Sequence, residues 1–155
     1  MHRIKKTLTT FVLAAAVSAI PAGAFTLDVQ GGVVNHVSDI KSFNLNVFGH
    51  YWFPIDQMLF VGVGTGYQEI HNSRLVPVSG GLWVRLPIGS TVLPVAVGDW
   101  GYLIGSNHQM FWRTGGGMDI KNGDHSSIML TGGYQFLDSD GKGYVYAQAG
   151  ILIEL

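Results

Sequence analysis

Residues 42–68 read SFNLNVFGHYWF-PIDQ-MLFVGVGTGYQ, and the pattern of this stretch decides the fold. Each half alternates with period two, the side-chain period of a β-strand. In the first half Phe43, Leu45, Val47, Tyr51 and Phe53 share one face, and Ser42, Asn44, Asn46 and His50 share the other. In the second half Leu59, Val61, Val63 and Tyr67 lie opposite Gly62, Gly64, Gly66 and Gln68. Pro54 and Asp56 mark a tight turn between the halves.

The same unit recurs outward from this hairpin. Upstream, Phe25, Leu27, Val29 and Val33 alternate with Thr26, Asp28 and Gln30 over about 25–35. Downstream, segments are expected near 75–86, 91–103, 109–120, 126–137 and 143–155, separated by turn-rich stretches such as Pro87-Ile88-Gly89-Ser90 and Lys121-Asn122-Gly123-Asp124. With the two halves of the hairpin this makes eight segments, and none has a helical period. The segment at 91–103 is ambiguous. Leu93, Val95, Val97 and Asp99 share one parity and Val92, Ala96, Trp100 and Tyr102 the other, so both faces are apolar, and a bulge near Pro94 or Gly98 would resolve them. Eight segments of this length with short connections predict an all-β fold, an eight-stranded antiparallel up-and-down β-barrel. Tilted strands of about 9–11 residues span a bilayer, so a transmembrane barrel fits.

The ends and the composition set the context. Arg3, Lys5 and Lys6 precede an apolar run, Leu8 to Ile20, and Ala22-Gly23-Ala24 follows. Residues 1–24 are therefore expected to be a secretory signal peptide, and 25–155 the barrel domain. The 13-residue run is too short for the ~20 residues of a spanning helix. Removing residues 1–24 leaves 131 of the 155 residues, with six basic against ten acidic side chains, or −4 with neutral histidines. That balance argues against nucleic acid as a partner. There is no cysteine, which excludes disulfides and thiolate metal sites. Charged residues are only 12%, against roughly 25% in ordinary soluble domains, so a water-facing surface would be hard to cover.

Alternation alone leaves two barrels open. A soluble periplasmic lipocalin-like barrel keeps its apolar face inside and binds an apolar ligand. An outer-membrane barrel turns that face to lipid. The polar face decides between them. It carries Gly, Asn, Gln, Ser and Thr interleaved with Phe48, Trp52, Trp83 and Tyr146, which suits a narrow interior filled by small and large side chains. Its charges are Asp28, Arg85, Asp99, Arg113, Asp119 and Glu154. Buried charges need partners, so Arg85 and Arg113 are expected to pair with some of these acids. Phe25, Tyr51, Phe53, Tyr67, Trp112, Tyr134 and Phe136 fall near segment ends on the apolar face, as interface girdles would.

The eight segments, the glycine-rich runs Val61-Gly62-Val63-Gly64-Thr65-Gly66-Tyr67 and Thr131-Gly132-Gly133-Tyr134-Gln135-Phe136, and the leader together resemble the small outer-membrane β-barrel proteins of Gram-negative bacteria, the grouping of outer membrane protein X and the barrel of outer membrane protein A. The resemblance implies an outer-membrane location and both termini in the periplasm. It further implies insertion by the outer-membrane assembly machinery, which recognises the last strand; here that strand ends in Leu155 where the family usually has an aromatic residue. Outer-membrane lipid and lipopolysaccharide are the partners it implies, and a monomer is expected. In that topology 36–41, 70–74, 103–108 and 138–142 face outward, and these loops are too short to favour adhesion.

Chemistry finds little purchase. His125 and Ser127 stand two apart with Asp138 and Asp140 beyond, a composition that suggests a nucleophilic triad. It resembles the outer-membrane lipid A deacylase, whose His-x-Ser pair lies on the penultimate strand. Here His125 begins its segment beside a periplasmic turn, and the aspartates lie at the far end of the strand, outside the hydrogen-bond reach a triad needs. The histidines in outward loops, His36, His71 and His108, lack ligand spacing and are expected to be solvated, while His50 is expected to be hydrogen-bonded lining. No catalytic, cofactor or metal residue is assigned. Trp52, Trp83, Phe60, Phe111 and Tyr146 would plug an eight-stranded lumen, so no open pore is expected.

Overall fold

A computed structural model describes residues 25–38, 44–70, 72–105, 108–138, 141 and 143–155. The expected signal peptide, residues 1–24, lies outside the described residues, as do His71 and Asp140. Eight strands follow one another: β1 (Thr26–His36), β2 (Leu45–Pro54), β3 (Leu59–Ile70), β4 (Ser73–Arg85), β5 (Val92–Ile104), β6 (Gln109–Lys121), β7 (Ser126–Leu137) and β8 (Gly143–Glu154). Each pairs antiparallel with the next, and β8 closes the ring on β1 through the run from Thr26↔Glu154 to His36↔Tyr144. The closed barrel has no free edge, which is how an all-strand architecture satisfies every backbone group.

The faces are assigned without ambiguity. Val63 and Ile151, each 59% exposed, and Trp100 and Trp112, 54% and 52%, point outward, whereas Asp28, Asn46, Gln68, Asp119 and Gln135 are fully buried inside. The apolar face is the outer face, the reverse of a lipocalin-like arrangement. Two apolar clusters fill the interior. One, toward the β1–β2 and β3–β4 connections, contains Ile70, Leu75, Leu103, Phe111 and Leu137; the other, toward the opposite end, contains Trp52, Phe60, Trp83, Val97 and Leu152.

No bulge interrupts β5. Its pairing runs unbroken with β4 from Val76↔Ile104 to Arg85↔Val95 and with β6 from Val92↔Ile120 to Leu103↔Gln109. Leu93, Val95, Val97 and Asp99 all point inward. The apolar residues of that parity are consumed by the tryptophan-rich plug, which is why both faces of this strand are greasy. Pro94 is tolerated because it sits beyond the last β4–β5 bridge, where its carbonyl accepts from the Leu86 amide at 2.9 Å. Pro77 falls within β4, and the β3–β4 ladder skips the Gly66–Tyr67 and Val76–Pro77 positions while keeping register on either side.

The connections are tight. In the β2–β3 turn Asp56 Oδ1 accepts from the amides of Met58 and Leu59, both at 2.7 Å, and these two bonds hold its carboxyl below the usual carboxylate range. At the β3–β4 connection Asn72 has φ 62°, the left-handed region that asparagine tolerates better than most residues.

Candidate functional site

The most distinctive chemistry lies inside the barrel, and strand register builds it. Asp28 on β1 faces His50 on β2 as a cross-strand pair. Asp99 on β5 faces Arg113 on β6 in the same way. Inward parity then brings the two pairs together across the lumen.

His50 Nδ1 lies 2.9 Å from Asp28 Oδ1. A carboxylate only accepts, so Nδ1 donates. Asp28 also accepts from the His50 amide at 3.2 Å, from Trp52 Nε1 at 3.0 Å and from Gln30 Nε2 at 2.9 Å. Thr131 Oγ1 donates to Gln30 Oε1 at 2.7 Å and ties β7 into the same network. On the other side of the ring His50 Nε2 stands 3.3 Å from Asp99 Oδ1 and 3.3 Å from Arg113 Nη2, an acceptor and a donor at the same distance.

Arg113 is held from several directions. Its Nε donates to Asp99 Oδ2 at 2.6 Å and its Nη1 to Gln148 Oε1 at 3.1 Å. Its guanidinium carbon lies 4.0 Å from the Phe48 ring centre and 5.1 Å from that of Tyr146. Flat aromatic faces on a cation add to the charge-assisted bonds. Space for the cluster comes from glycine. A Cβ at Gly64 would meet the His50 ring, and one at Gly81 would meet Asp99 and Trp52.

A second cluster sits at the end of the barrel that carries the β4–β5 and β6–β7 turns. Arg85 Nη2 is 2.8 Å from Asp119 Oδ2, and Nη1 is 2.9 Å from Glu154 Oε1. Asp119 is fully buried, while the Glu154 side chain is 42% exposed. Arg85 also lies over the Trp83 ring at 4.6 Å and the Phe60 ring at 5.3 Å, so the plug and the charge hold each other in place.

Of the six charges expected inside, Asp28, Asp99, Arg113 and Asp119 are buried, Arg85 and Glu154 meet at the end of the barrel, and the six divide into two groups. Asp99 and Arg113 belong to the central cluster, and Arg85, Asp119 and Glu154 to the terminal one. Asp28 pairs with His50 rather than with an arginine. His50, expected only as lining, is the hinge of the central cluster. Its parity with Trp52 and Asn46 signalled an inward side chain, but its two acidic neighbours depend on register and closure.

The other candidates stay apart. Ser127 is buried at the start of β7, and His125 is exposed in the turn before it. Asp138 follows the far end of the same strand, eleven residues and roughly 35 Å from Ser127 along the strand. His36 Nδ1 lies 2.6 Å from Ser38 Oγ, and His108 is exposed just before β6. Among the described residues no group of three or more His, Asp or Glu side chains is placed to hold a metal.

No family model matches the chain, and no curated protein matches it by sequence. Solved structures do. Neisserial surface protein A shares 10% identity over 86% of this chain and 99% of its own, with a TM-score of 0.72. The N-terminal β-barrel domain of Pseudomonas aeruginosa OprF shares 10% over 86% and 98%, at 0.67. The outer membrane enzyme PagL shares 12% over 84% and 99%, at 0.55. The fold is thus that of the small eight-stranded outer-membrane barrels, a likeness of structure that covers 84–86% of this chain and 98–99% of theirs.

Proposed function

We propose that this chain is a small integral outer-membrane β-barrel protein with a structural or interaction role, a lumen closed to solutes and no enzymatic site. The observation that carries this reading is the inside-out distribution of side chains. An outer belt that includes Val29, Val63, Trp100, Tyr102, Trp112, Tyr134 and Ile151 is exposed. The interior is filled by paired charges and by fully buried Trp52, Trp83 and Phe48. A belt of this kind costs heavily in water and nothing in lipid. Its partners are outer-membrane lipid and lipopolysaccharide around the belt and, during assembly, the outer-membrane insertion machinery. The similarity to NspA and the OprF barrel supports the location, a Gram-negative outer membrane reached by export through the periplasm. The reading takes the protein as a monomer.

The His125 and Ser127 pair keeps a lipid-modifying enzyme as the alternative, the likeness to the outer membrane enzyme PagL supports an enzyme of some kind, and geometry weighs against it. Ser127 and His125 lie beside the β6–β7 turn, and Asp138 lies at the other end of the barrel.

Fractionation tests the main reading. The protein is expected in the outer membrane, with a gel mobility that changes on boiling. Recovery from the soluble periplasm with no shift would overturn it. Lipid A acyl composition separates the alternative: it is expected to be the same with the native chain and with Ser127→Ala, and a change that depends on Ser127 would establish an enzyme.

A further inference from the structure

The β6–β7 turn separates two hollows of opposite character, and the start of β7 belongs to both. Inside the mouth of the barrel, Asp119, Lys121, Asp124, Ser126, Ser127 and Glu154 surround a polar hollow with room for one group the size of a water molecule or an ammonium ion. On the outer wall, Ile128, Ala149, Gly150 and Ile151 line a shallow groove that also reaches Asn122, Ser126 and Ser127. Register builds this groove. Ile128 faces Ile151 and Leu130 faces Ala149 across β7 and β8, so the small side chain at 149 sits low beside two isoleucines.

The polar hollow is unevenly bonded. Asp119 is fully buried, and its Oδ2 lies 2.8 Å from Arg85 Nη2, but its Oδ1 has no hydrogen-bond partner. Buried polar atoms in folded proteins are nearly always bonded, and a bare carboxylate oxygen is an acceptor waiting for a donor. Arg85 is shared between Asp119 and Glu154. The charges around the hollow are three carboxylates, Asp119, Asp124 and Glu154, against two cations, Arg85 and Lys121, which leaves an excess of one negative charge with Lys121 exposed at the rim. That pattern complements a zwitterion whose ammonium enters the hollow while its phosphate stays at the rim beside Lys121. Gly123 keeps the rim low between the two hollows, since a Cβ there would come 3.2 Å from Ser126 Oγ.

We propose that the two hollows form one site for a phospholipid whose headgroup ends in a primary ammonium, a lipid of the phosphoethanolamine class. The ammonium donates to Asp119 Oδ1 and to Asp124, the phosphate meets Lys121, and an acyl chain lies over Ala149 between Ile128 and Ile151. An ammonium carries three donors on one nitrogen, which suits walls made of carboxylates and hydroxyls. A choline headgroup has no N–H to donate and is too large for the hollow, and a purely anionic headgroup adds negative charge to an acidic mouth. The proposal rests on the outer-membrane reading, in which the groove continues the lipid belt and this turn faces the periplasm. It adds to that reading the headgroup and the leaflet, the inner one.

The test places the chain in nanodiscs of phosphatidylcholine to which phosphatidylethanolamine or phosphatidylglycerol is added. Native mass spectrometry reads which lipid stays bound, and amide chemical shifts read where. The ethanolamine lipid is expected to be retained about tenfold over the choline lipid, the equivalent of one lost charge-assisted hydrogen bond. It is expected to move the amide signals of Gly123, Ser126 and Ser127. Asp119→Asn is expected to abolish the preference. Because that variant also disturbs the Arg85 pair, Asp124→Asn in the exposed turn is read beside it and is expected to weaken the preference severalfold. Ala149→Leu on the outer wall is expected to lower retention of the lipid while leaving the barrel folded. Equal retention of the three lipids, or a preference that Asp124→Asn and Ala149→Leu both leave intact, overturns the lipid site and leaves the outer-membrane barrel standing. A chain that stays in solution and does not enter nanodiscs overturns both.

Discussion

Arg113 Nε and Asp99 Oδ2 stand 2.6 Å apart on strands that are neighbours in register, and both side chains are almost wholly buried. A buried pair of this kind is costly to break from one side, because the remaining charge keeps its desolvation and loses its partner. Arg113→Met is therefore expected to lower stability by about 3–5 kcal/mol. Urea unfolding in detergent or lipid is the measurement. The double variant Arg113→Met with Asp99→Leu is expected to recover part of that loss, since it removes the stranded carboxylate. A double variant as unstable as the sum of the singles would mean that the two groups do not act as a pair.

Asp28 accepts from the His50 ring, the His50 amide, Trp52 and Gln30, and so joins β1 to β2 at the centre of the lumen. Asp28→Ala strands all four donors. Hydrogen bonds to a charged group contribute roughly 1.5–3 kcal/mol each, with strong non-additivity. The variant is expected to lose its heat-dependent gel shift at a temperature well below that of the native chain, with Asp28→Asn intermediate. Equal behaviour of Asp28→Asn and Asp28→Ala would show that the acceptor oxygens contribute nothing.

Two glycines separate crowding from backbone freedom. A Cβ at Gly64 would meet the His50 ring and come within 3.0 Å of Ser79 Oγ, whereas one at Gly31 would meet nothing within 4 Å. Gly64→Ala is expected to destabilise by about 1–3 kcal/mol through overpacking. Gly31→Ala is expected to stabilise by roughly 0.4–1 kcal/mol by restricting the unfolded chain. The same unfolding assay reads both, and opposite signs are the outcome that matters.

Asp56 gives an acid-sensitive contribution at the β2–β3 turn. Its carboxyl is held below the ordinary value of 3.8 by the Met58 and Leu59 amides. A group whose value falls on folding contributes stability above its unfolded value and loses it as pH drops through the folded one. Native protein is expected to be more stable than Asp56→Ala at pH 7, and the gap is expected to narrow as pH falls below about 3.8. A gap independent of pH would trace the effect to turn propensity alone.

The four tryptophans divide evenly between lumen and belt. Trp52 and Trp83 are 1% and 0% exposed, and Trp100 and Trp112 are 54% and 52% exposed. In vesicles of brominated phospholipid, a chain with Trp52→Phe and Trp83→Phe is expected to lose most of its fluorescence to quenching. A chain with Trp100→Phe and Trp112→Phe is expected to keep most of its own. The reverse pattern would place the lipid on the wrong face.

The strands of this barrel were legible because alternation is a local property. Val61-Gly62-Val63-Gly64 declares its two faces within four residues, and the polar face, rich in Gln and Asn yet poor in Lys and Glu, declares which of them avoids bulk water. β5 resisted that logic. Leu93, Val95 and Val97 are as apolar as Val92 and Ala96, and only unbroken pairing with β4 and β6 turned them inward. The six interior charges could be read as inward from parity. Their partners could not, because a pair such as Arg85 and Glu154, 69 positions apart in sequence, meets through closure of the ring.

By itself, then, the amino-acid sequence determined the number of strands, the side each residue faces outside β5 and the chemical character of both surfaces, all consequences of a two-residue period. Only the tertiary structure decided who meets whom inside. Strand register and the closure of β8 on β1 put His50 between Asp28 and Asp99 and left Asn46 and Gln68 without protein partners. The physical reason is that a side chain's direction follows from its own backbone, whereas its neighbours across a lumen follow from the register of every strand in the ring.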